Sequence, residues 1–152
     1  MKLITQNFMR CQAKDCADDT IHHEDNKGPY PLRIIVETSE EEKIDDDYYS
    51  FIAKIKMIQN IEYPALLASI KDIEFKADME NQAYTEEEID LPKTLPEEWE
   101  KDEEFVNRVF NLVMTKEIIT GQLVCRKCDR EFGIVNGIIN MLLKEDEIDQ
   151  NE

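Results

Sequence analysis

Apolar positions along this chain change their period twice, and the changes divide it into three stretches. From Lys2 to Phe8 apolar and polar residues alternate in short β-type fashion, which predicts a strand running into the first cysteine pair, Cys11 and Cys16. Ala17 to Pro31 is polar and holds Gly28, Pro29 and Pro31, the composition of an exposed loop. Leu32 to Thr38 is β-branched and short, predicting a second strand. The period then becomes helical. Tyr48, Phe51, Ile52, Ile55 and Ile58 share one helix face, and any of Asp45, Asp46 or Asp47 can cap it. Pro64 fits the first turn of a second helix that buries Leu66, Leu67, Ile70 and Ile73. A third is marked by Phe105, Val106, Val109, Phe110 and Val113, with Asp102, Glu103 and Glu104 at its start. Lys76 to Glu98, acidic and holding Pro92 and Pro96, reads as a long linker or a short irregular helix. After Thr115 the strand pattern returns over Glu117–Val124, Glu131–Asn136 and Gly137–Leu143, and an acidic disordered tail follows from about residue 145.

The cysteines give these stretches a common anchor. Cys11-x4-Cys16 and Cys125-x2-Cys128 are two short-spaced pairs, the supply that a tetrahedral zinc ion needs, and the second pair lies between two strands as a zinc-ribbon knuckle does. The 108 residues between Cys16 and Cys125 are no obstacle. Closing such a loop costs about 4 kcal/mol, against roughly 10–16 kcal/mol from structural zinc in finger peptides. Four thiolates leave no open position for water or substrate, so the expected Zn2+, a single ion, is structural. His22 and His23 are expected in the loop, outside the ligand set. The fold class expected is α+β. A small antiparallel zinc-knuckle β-sheet domain is formed by both chain ends, residues 1–38 plus 115–152, and carries a central helical insertion domain, residues 39–114.

Composition narrows the function classes. With 18 Lys+Arg against 35 Asp+Glu the formal net charge is -17, so counterion release cannot carry this surface onto RNA or DNA; nucleic acid is expected only through a partner. The opening MKLITQNFMRC lacks the apolar stretch of a secretory signal, and no apolar run approaches the roughly 20 residues of a membrane span. A soluble, intracellular protein with no membrane association is expected, in the cytoplasm and nucleus where thiols stay reduced. Gly133-x3-Gly137 matches no phosphate or dinucleotide loop, and two adjacent histidines in a polar loop support no catalytic triad. Cys125-Arg126-Lys127-Cys128 could also be read as a redox dithiol, with the two cations lowering a thiol pKa, but that motif usually opens a helix. The run Ile134 to Leu143 reads either as a central strand of the small sheet or, for Ile138 to Leu142 together with Phe8, as an apolar patch or strand edge offered to another protein.

Three segments carry a resemblance. Met1-Lys-Leu-Ile-Thr-Gln-Asn-Phe8 with Cys11 and Cys16, the stretch from Asp102-Glu-Glu-Phe-Val106 to Glu117-Ile-Ile-Thr-Gly-Gln-Leu-Val-Cys125, and Asn136-Gly-Ile-Ile-Asn-Met-Leu-Leu143 together resemble the multifunctional methyltransferase subunit family. These are small zinc-containing activators of class I methyltransferases acting on tRNA, rRNA and translation release factors. One departure stands out: Ile139 occupies a position where the family usually has proline, and unlike proline it has an N–H to donate. The resemblance implies a non-catalytic subunit that pairs 1:1 with a class I methyltransferase catalytic subunit, covers its apolar surface and often extends its sheet. Such a subunit stabilises the enzyme and lets it bind S-adenosylmethionine, which only the partner holds. Carried onto this chain, the partner contacts are Thr5, Asn7, Phe8, Gly137, Ile138, Asn140, Met141 and Leu142. The alternative reading is a zinc-ribbon nucleic-acid-binding module.

Overall fold

The computed structural model describes residues 1–19, 27–44 and 48–142. The elements run α1 (Leu3–Asn7), β1 (Arg33–Glu41), α2 (Phe51–Gln59), α3 (Tyr63–Lys71), β2 (Glu74–Phe75), α4 (Glu86–Ile89), α5 (Glu103–Phe110), β3 (Lys116–Val124), β4 (Glu131–Val135) and β5 (Ile138–Ile139). His22 and His23, the acidic run Asp45–Asp47, Leu143 and the tail beyond it lie outside the described residues.

Five strands form one sheet in the order β2-β1-β3-β4-β5. The strands from the chain ends, β1, β3, β4 and β5, are antiparallel to their neighbours as expected, and β2 from the central insertion adds to β1 in parallel. A direct turn cannot join parallel neighbours, so the helical stretch α2–α3 serves as their crossover. The long ladder is β1 against β3, from Arg33 opposite Val124 to Glu41 opposite Lys116, with a bulge near Thr38. Gly121 makes that bulge possible, because a Cβ there would lie 2.2 Å from the Ile35 carbonyl oxygen.

The chain's first segment is a helix, not the strand its alternation predicts. Leu3, Gln6 and Asn7 turn inward at helical spacing, and two of these are polar, which is why the period escaped a purely apolar count. Gln6 Nε2 donates to the Leu32 carbonyl (2.8 Å) and to Ser69 Oγ (3.0 Å). Asn7 holds the start of α3 with both ends of its amide, accepting from the Glu62 N–H and donating to the Glu62 carbonyl. Tertiary hydrogen bonds thus fix a five-residue helix that would be too short to persist alone.

The central helices follow their sequence signals with one correction. α2 begins at Phe51 and its cap is Ser50, whose Oγ accepts from the Ala53 N–H at 3.1 Å, so the cap lies three residues beyond the aspartates expected. Asp102 caps α5 through the Phe105 N–H, and Pro64 sits in the first turn of α3. A π-helical turn at Asn111–Thr115 carries α5 into β3 and buries Leu112 and Val113. The stretch Lys76–Glu98 is pinned, not slack: Tyr84 is fully buried against Phe75, and α4 is capped by Thr85. Buried residues from both chain ends and from the central helices form one continuous cluster, including Leu3, Leu32, Leu66, Val106, Ile118 and Phe132.

Candidate metal centre and adjoining surface

The β1–β3 ladder positions the thiols. It sets Arg33 opposite Val124, so Cys125 emerges beside the segment that precedes β1. That segment in turn holds the N-terminal pair, since the Cys11 N–H donates to the Pro29 carbonyl at 3.1 Å. Each pair is turned by a residue in the left-handed region, Asp15 at φ 74° before Cys16 and Asp129 at φ 61° after Cys128. Cys125 closes its turn by bonding its N–H to the Arg130 carbonyl (2.9 Å) and accepting from the Asp129 N–H (3.0 Å). The Cys128 N–H points at Cys125 Sγ at 3.5 Å.

All four Sγ atoms lie within 4.8 Å of one another, the group expected from the spacing. Cys11 faces Cys128 and Cys16 faces Cys125, each at 3.8 Å between sulfurs. Four sulfurs about 2.3 Å from a tetrahedral zinc are separated by about 3.8 Å, so the cluster has the dimensions and donor chemistry of a four-thiolate site. Cys11, Cys16 and Cys125 are buried, and Cys128 alone of the four is exposed. Burial pushes the Cys11 thiol up to about 12, against a hydrogen bond to the backbone of Ala13 that pulls it down. Burial and the neighbouring thiols likewise raise Cys16. Cys128 moves the other way. Burial raises it, but hydrogen bonds from the Arg130 backbone and the adjacent thiols outweigh that and bring its thiol below the ordinary value. Burial thus disfavours the thiolate at Cys11 and Cys16, and a divalent cation held by the sulfurs would favour it.

The cations of the Cys125–Cys128 turn are engaged away from the sulfurs. Arg126 donates from Nε to the Pro31 carbonyl (2.9 Å), and its guanidinium meets both oxygens of Asp72 at 2.5 and 3.0 Å just past α3. Lys127 Nζ binds Asp19 Oδ2 at 2.7 Å. The turn lies between β3 and β4 and opens no helix, so the two features a dithiol oxidoreductase would use are absent at this turn. The same ion pairs occupy the cations a nucleic-acid-binding zinc ribbon would present there. Sequence reading assigned Arg126 no structural part; its partners come from residues 54 and 95 positions away, which no local signal announces.

Closing the thiol cluster accompanies a second meeting of the chain ends. The Met1 amino group donates to the Gly137 carbonyl and to the Ile118 carbonyl, both at 2.8 Å, and the Ile118 N–H returns a bond to the Met1 carbonyl at 2.7 Å. α1 therefore starts beside the β4–β5 hairpin. Of the residues carried over from the resemblance, Thr5, Phe8, Ile138, Asn140 and Leu142 are exposed, with Phe8 at 59%, Ile138 at 73% and Leu142 at 80%. Gly137 and Met141 are half-buried, Met141 packing on the core. Asn7 is buried, its side chain committed to Glu62. Asn140 Oδ1 accepts from the Leu142 N–H at 3.0 Å, and Arg130 Nη2 donates to the Leu142 carbonyl at 2.7 Å, holding this end of the hairpin in place.

No helix among the described residues is long and apolar enough to cross a membrane. No family model matches the chain. Curated proteins do. The chain is similar to the multifunctional methyltransferase subunit TRM112 of Saccharomyces cerevisiae, 28% identical over 145 residues that cover 94% of this chain and 96% of that one. It is also similar to the TRM112 homolog B of Arabidopsis thaliana, 30% identical over 152 residues, 97% of this chain and all of that one. Among solved structures, a chain of the E. cuniculi Mtq2–Trm112 complex responsible for methylation of the eRF1 translation termination factor matches at a TM-score of 0.49 and 16% identity, over 93% of this chain and 95% of that one. With full-length identity to the plant protein at this level, and the four thiols gathered from both chain ends, the chain belongs to the multifunctional methyltransferase subunit TRM112 family.

Proposed function

We propose that this protein is a non-catalytic activating and stabilising subunit that forms a 1:1 heterodimer with class I S-adenosylmethionine-dependent methyltransferase catalytic subunits modifying tRNA, rRNA or translation release factor. The observation that carries this reading is similarity along the whole chain to proteins named as methyltransferase subunits in yeast and plant. Cys11, Cys16, Cys125 and Cys128 hold one Zn2+, whose chemistry here is to bind four thiolates and so fasten residues 1–38 to residues 115–152. The central stretch, 39–114, rides on that unit as an insertion.

The chain's own residues do the rest. Cys11 and Cys16 fix the end of the α1 segment, Cys125 and Cys128 fix the β3–β4 turn, and Phe8, Ile138 and Leu142 stand exposed beside the resulting junction. These apolar side chains cover the catalytic subunit's apolar surface and exclude water from it, with Thr5, Gly137, Asn140 and Met141 around them. Asn7 acts from within, by holding α1 against α3. S-adenosylmethionine is bound by the catalytic subunit. A four-thiolate site requires reduced cysteines, in keeping with work in the cytoplasm and nucleus.

The test is co-expression of this chain with the tRNA, rRNA and release-factor methyltransferase catalytic subunits of its own organism. At least one is expected to become soluble, to co-purify 1:1 and to bind S-adenosylmethionine at least tenfold more tightly than when made alone. Unchanged solubility and cofactor binding for all of them would overturn the proposal.

A further inference from the structure

α3 and the segment that follows α4 enclose a groove of about 530 Å³, and none of its lining residues belongs to the thiol cluster or the β4–β5 hairpin. Leu67, Ile70 and Lys71 form one wall, a single helix face because residues three and four apart lie together. Ile89, the last residue of α4, begins the other wall, which continues through Asp90, Leu91 and Lys93. Beyond Ile89 that wall is not helical, so bonds from elsewhere set its position. Tyr63 Oη donates to the Pro92 carbonyl at 2.7 Å, and Arg108 Nη2 donates to the Glu87 and Asp90 carbonyls. The groove is therefore formed before anything enters it, and an occupant has little of the protein to reorder.

The lining combines aliphatic surface with a charge balance opposite to that of the chain. Leu67, Ile70, Ile89 and Leu91 are all aliphatic, and Leu67 and Ile89 are only half-buried, so part of each still meets solvent. Lys71 and Lys93 flank them, both exposed, and among the described residues neither is joined in an ion pair. The carboxylate next to Lys71, that of Asp72, is taken by Arg126, which leaves Asp90 as the acidic residue of the lining. Two cations to one carboxylate reverses the ratio of the whole chain, 18 Lys+Arg against 35 Asp+Glu. Aliphatic side chains flanked by carboxylates match the groove on both counts. A second copy of this chain is a poor occupant, because it brings its own net charge of -17 to the contact, whereas a short acidic segment meets the two lysines without that repulsion.

We propose that this groove is a docking site for an acidic, aliphatic segment of another protein, whose aliphatic side chains enter between α3 and Leu91 while its carboxylates pair with Lys71 and Lys93. The site does not depend on the function proposed above. All its residues lie in the central stretch, 39–114, so the chain can hold a catalytic subunit through its two ends and a second protein here. The aliphatic contact supplies attraction, and the two lysines select against the basic and neutral segments that the rest of this acidic surface also meets.

The test titrates the intact, isotope-labelled chain with the synthetic peptide acetyl-Asp-Leu-Glu-Glu-Leu-Asp-amide and follows backbone amide chemical shifts. Saturable changes are expected at Leu67, Lys71, Ile89, Leu91 and Lys93, while Ile138 and Asn140 in the hairpin stay where they are. The double variant Lys71→Gln, Lys93→Gln should raise Kd about tenfold, the combined effect of two exposed ion pairs, and added salt should weaken the wild type more than the variant. Unmoved hairpin signals in the variant show that it is folded. A peptide with serine in place of both leucines should not saturate. Absence of saturable shifts in the groove overturns the inference, as does equal binding by the double variant or by the serine peptide. Octanoate binding as tightly as the peptide assigns the groove to small amphiphiles, and movement of its signals on removal of residues 145–152 assigns it to the chain's own acidic end; each overturns the inference. None of these results bears on the co-expression experiment, so the proposed function stands or falls separately.

Discussion

The thiol cluster and the β5 edge are built from the same two chain ends, yet they are opposites in how completely their chemistry is satisfied. At the cluster, three of four sulfurs are buried, both turns are closed by backbone hydrogen bonds, and the neighbouring cations are bound to Asp72 and Asp19. At the hairpin, Ile138 and Leu142 face solvent, and among the described residues no strand lies beside the outer backbone of β5. The difference separates holding from binding: a group already satisfied within the chain has little to offer a partner, while exposed apolar surface and edge amides retain theirs. Met1 joins the two regions, since its bonds to Ile118 and Gly137 bring α1 to the hairpin while Cys11 fixes the segment that follows α1.

Substitutions can pull the two regions apart, and they rank by their effect on the chain's own stability. Cys16→Ser removes a fully buried thiol of the proposed zinc site. Zinc content measured by mass spectrometry should fall from one ion per chain to none, and Tm should drop by about 10 °C or more, since the metal no longer offsets about 4 kcal/mol of loop closure. Partner binding should weaken with it. An unchanged melting curve in a zinc-free variant would show that the ends meet without the metal.

Arg126→Ala keeps the ligands but cuts the bond between the cysteine turn and α3, leaving the Pro31 carbonyl and Asp72 without their donor. A loss of about 1 kcal/mol in urea unfolding is expected, with zinc retained, because the part-buried Pro31 carbonyl loses its donor while the exposed Asp72 pair contributes little. Loss of zinc at the same time would mean that the arginine shapes the metal site and does not merely connect it to the helices.

Ile138→Asp should do least to the chain and much to the complex. The side chain is mostly exposed, so stability should stay within about 0.5 kcal/mol of the wild type. Affinity for the catalytic subunit, measured by calorimetry, should fall by a factor of about 30 or more, as for a central apolar contact replaced by a charge. Equal affinities would place the partner elsewhere on the molecule.

Local chemistry made a large part of this protein legible. Cysteine spacing pointed to the four thiols that gather, since short-spaced pairs are local signals whose meaning survives the distance between them. Asp102 and Pro64 marked two helix starts, because a cap or a first-turn proline acts within a few residues. The same locality explains the failures. Lys2 to Phe8 alternates as a strand would, and its helix is decided by Gln6 reaching Leu32 and Ser69 and by Asn7 reaching Glu62. Asn7 was placed among the partner contacts by the resemblance, and its amide is bonded to Glu62 inside the chain. The acidic stretch Lys76–Glu98 resembles a linker by composition, yet Tyr84 buries itself against Phe75 and fastens it.

The sequence by itself determined which four cysteines gather, the strand and helix stretches with strong periods, and the absence of a phosphate loop. It also determined the net charge of -17. Those properties depend on residue type and near neighbours, which the order of residues contains directly. Tertiary structure alone decided that the first segment is a helix, that Arg126 ties the cysteine turn to α3, and that the last segment folds back on β4 as a hairpin. Each of these is settled by a partner tens of residues away or by the alternation of a hairpin, and hydrogen-bond direction is fixed only once the strands are laid side by side.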